Sequence, residues 1–144
     1  MKVAIEKKGD GASVLRCVRS DGSVTWQRHE GHQGAFFPLH DLTHLAVEGA
    51  LSRTDGFFGL VASGWEIEET TGKTARGPLP PGALEVERLV GLFDLERGGV
   101  ASWQPADVGL SDDDVRRVRE RMRELLARWE ALPAGGTLEL AFDG

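Results

Sequence analysis

His40, Asp41, His44 and Glu48 fall within nine positions of the stretch "PLHDLTHLAVE", residues 38–48. Imidazoles and carboxylates are the side chains that hold divalent cations and carry protons near neutral pH. Two histidines four apart on a helix lie one turn apart on one face, so both rings can reach a single ion. The pattern therefore points to a divalent-metal site of the zinc type with His40 and His44 as ligands. Asp41 and Glu48 are then the catalytic carboxylates, acting as base or as partners that orient the ligands. Glu48 lies about 12 Å along the helix axis from His40, too far to share an ion easily, so its place is beside His44. A third ligand is needed. His32 and His29, folding back from the preceding loop, are the first candidates, with Glu66 and Asp94 as the others. Metal-free acid–base chemistry at a histidine–carboxylate pair stays open beside this reading.

"HDLTH" resembles the HExxH motif of the zincin peptidases, with aspartate in place of glutamate, over these five residues. The resemblance implies His40 and His44 as zinc ligands and Asp41 as general base. Asp41 is one methylene shorter than the glutamate and points off the histidine pair, which puts that last role in doubt. The His40-Asp41 dyad does not fit the HD-type phosphohydrolases, which are all-helical and carry a further histidine well upstream. More broadly, a hairpin followed by "HDLTHLAVE" and "GFFGLVASG" resembles a family of small bacterial proteins with an HDLxHxxVE helix. That resemblance covers about half the chain and implies no activity; it marks "HDLTH" as a unit.

On a helical wheel the residues from Pro38 to Leu51 place Leu39, Leu42, Ala46 and Ala50 at an apolar centre. His40, Asp41, His44 and Glu48 are confined to a sector of about 100°. Such a sector could simply be solvated. The segment after Ser111 shows how this chain builds a solvated face, with Arg116, Glu120, Arg121 and Glu124 at salt-bridge spacing. The sector at 40–48 holds no lysine or arginine, and all four histidines of the chain lie between positions 29 and 44.

The elements that must position these residues follow from periodicity. "KVAIEK", "SVLRCVR" and "SVTWQR" alternate, and Asp21-Gly22 supplies a tight hairpin turn. "HEGHQGAFF" is expected as a loop, with Pro38 in the first turn of a helix to about Leu51. A shorter helix is expected in "TDGFFGLVASG", capped by Asp55. The polar, proline-rich "EETTGKTARGPLPPG" is expected as a surface loop, and "ALEVERLVGLFDLER" as a third helix. Ser111 caps a fourth, whose apolar stripe runs through Val115, Val118, Met122, Leu125, Trp129 and Leu132. "TLELAF" alternates again and is expected to join the N-terminal strands. The fold class is α+β: a small antiparallel sheet from both chain ends, packed on three to four helices, as one domain over 1–144.

Composition removes several function classes. A net charge of −6, with acids interleaved among the arginines of the fourth helix, disfavours nucleic acid. No apolar run is long enough to span a bilayer and the N-terminus lacks a signal-peptide core, so a cytoplasmic location is expected. Cys17, the single cysteine, is expected as a buried, reduced thiol. "TGKT" at 71–74 fails as a phosphate-binding loop, because Ile67 stands where glycine is required. Two readings remain: a metal-binding protein, with hydrolase chemistry on a small-molecule or peptide substrate, or a non-enzymatic interaction module. The second would pair with a partner or with its own copy, for instance through the fourth-helix stripe.

Overall fold

Val3 and Ile5, Leu15 and Cys17, and Leu138 and Leu140 alternate with polar neighbours, and all six are buried on one side of a four-stranded sheet. The computed structural model describes residues 1–100 and 103–143. Its strands are β1 (Lys2–Lys7), β2 (Ser13–Val18), β3 (Val24–His29) and β4 (Thr137–Ala141), all antiparallel in the order β3-β2-β1-β4. Val3 sits opposite Cys17 on one side and Leu140 on the other. The chain ends meet: the Met1 amino group donates to the Phe142 carbonyl at 3.0 Å, and Phe142 N–H donates back to Met1 at 2.9 Å. The architecture is α+β, with the sheet built from both ends of the chain.

Helix α1 (His32–Ala50) is the centre of the molecule, in contact with β2 and β3 on one side and with α3 (Pro81–Arg97) and α4 (Asp112–Ala131) on the other. Every residue from Asp41 to Glu48 is buried. A helix covered all round has no solvated face, so the polar sector at 40–48 turns inward, toward other chain segments. On α4, Ser111 accepts a hydrogen bond from Asp114 N–H at 3.0 Å. Its stripe of Val115, Val118, Met122, Leu125 and Trp129 is buried within the chain.

Three local expectations are corrected. Helix α1 begins at His32, six residues before Pro38, because its first turns are held by packing. Gly34 lies so close to the β1–β2 turn that a Cβ would meet the Gly11 carbonyl at 2.4 Å, and the Phe37 ring stacks on His29 at 4.1 Å. The supposed surface loop opens with a 3-10 turn, Ile67–Thr71, docked by a hydrogen bond from Ile67 N–H to Thr25 Oγ1 at 3.2 Å. The third concerns α2 (Phe57–Ala62), which begins after Gly56 with no cap from Asp55. Asp55 instead pairs with Arg53 at 2.9 Å.

A six-residue helix is far too short to persist alone, and α2 is held at both ends by buried charge. The Glu48 carboxylate accepts from Phe58 N–H at 3.3 Å and Gly59 N–H at 3.1 Å. At the other end the Arg19 guanidinium donates to the Val61 and Trp65 carbonyls, both at 2.6 Å. An anion at the N-terminus and a cation at the C-terminus match the helix dipole. Gly56 makes room for this, since a Cβ there would stand 2.4 Å from the Glu48 Cδ. Removing Glu48 by Glu48→Ala strands three donors in the core and should cost about 3–5 kcal/mol in urea denaturation. Asp113→Ala, in an exposed ion pair on α4, should leave the midpoint where it is. A Glu48→Ala loss as small as that of Asp113→Ala would show that the carboxylate does not hold α2.

Candidate metal centre

The His40 and His44 rings stand edge to face one turn apart on α1, with centroids 4.8 Å apart. Each ring has one nitrogen already engaged by a carboxylate. Nδ1 of His40 bonds Asp94 Oδ2 of α3 at 2.7 Å, and Nδ1 of His44 bonds Glu48 Oε2 at 2.9 Å. A carboxylate behind each ring sets its tautomer and aims Nε2 away from the helix axis. On the free side stands Glu87 of α3, whose Oε1 is 3.2 Å from His44 Nε2. One donor atom from each of His40, His44 and Glu87 lies within 4.8 Å of the others, and this group could hold a metal ion. Donors bonded tetrahedrally to zinc at about 2.1 Å sit about 3.4 Å apart. His44 Nε2 and Glu87 Oε1 already stand near that separation, and the Glu87 side chain is 44% exposed.

The expected third ligand was His32, and that is corrected. His32 is exposed in the first turn of α1, about two helical turns before His40, and does not belong to the group. Glu66 is also elsewhere, 3.4 Å from Arg19. Asp94 is present behind His40 as an orienting partner, and Glu48 takes the same role behind His44. Fully buried, Glu48 has no opening toward a substrate. Glu87 was missed from sequence, yet it carried a signal. Glu87 and Asp94 are seven residues apart, hence on nearly one line of α3. They border the buried row of Ala83, Val86 and Val90, an unusual place for two acids.

Above the group opens a cavity of about 200 Å³, with His29, Asp41 and Glu87 in its wall. Asp41, 5% exposed, has its carboxyl pushed up to about 7 by burial, against the pull of His44 and His40. A carboxyl poised near neutrality beside a metal-type donor set can accept and return a proton. Burial opposes the charge on His44, but hydrogen bonds to Glu48 and Glu87 outweigh it and raise the ring to about 10. Burial also presses Asp94 and Glu87 upward; hydrogen bonds from His40 and His44 respectively win and hold both carboxyls low. Burial alone lowers His29, so it faces the cavity as a neutral ring.

Comparison with protein-family models, with curated proteins and with solved structures returned no match to this chain.

These shifts set the pH dependence of the metal-free protein. Asp41 and His44 are both raised on folding. Their contributions are whole below their ordinary values of 3.8 and 6.5, and are lost as pH climbs through about 7 and about 10. Lowered Asp94 and Glu87 contribute above the usual carboxylate range and lose that contribution in acid. The metal-free protein should thus be most stable in mild acid, with Tm falling steadily from about pH 6 to pH 9. Asp41→Asn, which keeps the shape of the protonated acid, should raise Tm at pH 7 and flatten the profile between pH 4 and 7. A wild-type Tm that climbs between pH 6 and 9 in chelator would contradict the direction of these shifts.

Proposed function

We propose that this protein is a metal-dependent hydrolase of small molecules, with a zinc-type divalent ion held by His40, His44 and Glu87. One observation carries the reading: two imidazoles, each held at Nδ1 by its own carboxylate, converge with the Glu87 carboxylate at the floor of a cavity, where His44 Nε2 stands 3.2 Å from Glu87 Oε1. Two imidazoles and one carboxylate are a borderline donor set suited to zinc, with a further position left open toward the cavity. A bound ion of this kind polarises a carbonyl and lowers the pKa of water. Asp41 takes the proton released from that water and delivers it to the leaving atom, the role its tuned carboxyl fits. Asp94 and Glu48 hold the two rings. No helix among the described residues is long and apolar enough to cross a membrane, and the buried Cys17 thiol suits a reducing cytoplasm.

A second reading, a protein-interaction module without metal, is favoured by the sheet edge. There Trp26 of β3 is 61% exposed beside the exposed Val24. In that reading His44 is an imidazolium shared between Glu48 and Glu87, with a proton where the ion would sit.

Elemental analysis of untagged protein, purified without chelator, separates the two. Near-stoichiometric zinc, manganese or iron is expected in the wild type and none in Glu87→Ala, a half-exposed position whose loss leaves the core intact. Asp94→Asn should weaken metal affinity by about 10–100-fold. Wild-type protein that arrives empty and binds no added zinc would end the hydrolase proposal. Dimerisation in light scattering, abolished by Trp26→Ser, would then support the module.

A further inference from the structure

The walls of the cavity, as distinct from its floor, select a substrate. Leu15, Phe37, Phe57 and Ile67 give it apolar sides. Its polar wall comes from the inward face of β3 and the 3-10 turn, through Gln27, His29, Thr70 and Thr71. None of the lining residues is lysine or arginine. Arg97, which pairs with Asp94 at 3.2 Å, lies behind that carboxylate and outside the cavity wall. The carboxylates of Glu87 and Asp41 are in the wall, and those of Asp94 and Glu48 stand one residue behind it. A divalent ion placed among them would be charge-compensated by the protein itself.

Anionic ligands are normally met by arginine or lysine forks, or by helix N-termini with free N–H groups. Here the nearest helix N-terminus, that of α2, is already filled by Glu48. A phosphate or carboxylate group would enter a space ringed by carboxylates with no lysine or arginine in its lining to receive it. Size adds a second limit. At about 200 Å³ the cavity is smaller than the usual drug-sized pocket of roughly 300–1,000 Å³, so neither a polypeptide segment nor a nucleotide fits inside it.

Resting on the metal-hydrolase reading above, we infer that the substrate is a small uncharged amide or ester whose compact apolar group lies between Phe37 and Phe57. Its carbonyl faces His40, His44 and Glu87, and its remaining polar atoms meet Gln27 and His29. In the reaction, the oxygen of water bonds to the carbonyl carbon and the bond from that carbon to nitrogen or oxygen breaks. One proton of the water passes by way of Asp41 to the departing amine or alcohol, and the acid product retains the other oxygen-bound hydrogen until it ionises into solvent. Nothing is oxidised or reduced. The acid formed is an anion, and the same carboxylate ring that refuses anionic substrates promotes its release.

The test is ligand binding to cobalt-substituted protein, read from the visible d–d bands at pH 8. Neutral imidazole and pyrazole are the small uncharged probes, inorganic phosphate and acetate the anionic ones. The uncharged probes should shift the bands with apparent Kd values at least tenfold below those of either anion. Thr71→Arg, which sets a cation in the exposed rim of the wall, should improve phosphate binding relative to imidazole at least tenfold. Cobalt bands that respond to phosphate or acetate as strongly as to imidazole in the wild type would overturn this substrate class while leaving the metal site standing. Absence of any cobalt spectrum would overturn the metal site, and the substrate class with it.

Discussion

A single buried carboxylate organises this molecule. Glu48 is fully excluded from solvent and accepts from three donors: the His44 ring and the two backbone N–H groups that open α2. An ionised carboxylate in a protein interior costs several kcal/mol unless its lone pairs are met by donors of matching geometry. That requirement couples elements which share little else. It places α2 against α1, obliges residue 56 to be glycine, and turns His44 so that its second nitrogen leaves the helix. The short α2 survives because Glu48 and Arg19 complete its ends, not because its sequence favours a helix.

The rest of the site follows from the centrality of α1. A helix buried on all sides must satisfy its polar residues with protein partners, and α3 supplies them in register. Asp94 meets His40 and, one heptad earlier, Glu87 meets His44. The outcome is a row of alternating imidazoles and carboxylates between two helices. His44 is paired at both nitrogens, to Glu48 and Glu87, and His40 at Nδ1 to Asp94. The row borders a cavity, and that makes the site a candidate for chemistry.

The position of that cavity also has a physical cause. The inward face of β1 carries Val3 and Ile5 and that of β2 Leu15 and Cys17, with Ser13 at its end, whereas the inward face of β3 carries Thr25, Gln27 and His29. Polar residues at the edge of a sheet cannot close a core, so the packing parts there and the 3-10 turn roofs the gap through the Ile67–Thr25 hydrogen bond. Asp41 lies where this gap meets α1. Its burial, rather than any single partner, is what lifts its carboxyl to about 7.

Local pattern determined much of this. Alternation over residues 2–7, 13–18, 24–29 and 137–141 was enough for the strands and for the meeting of the chain ends. The stripe and Ser111 cap were enough for α4, and the spacing of His40 and His44 for their shared face. Each of these depends on neighbours within a few residues, where period and capping act. What tertiary structure alone decided are the relations across the chain. Glu87, rather than His32, stands opposite the histidines, because the packing of α3 on α1 sets which acid faces which ring. Helix α1 runs back through Pro38 to His32 because Gly34 and Phe37 find the sheet. Glu48 and not Asp55 opens α2, since Arg53 claims Asp55 and the fold brings a carboxylate from ten residues upstream. A buried charge takes whichever donors the packing delivers, and no window of neighbouring residues contains them.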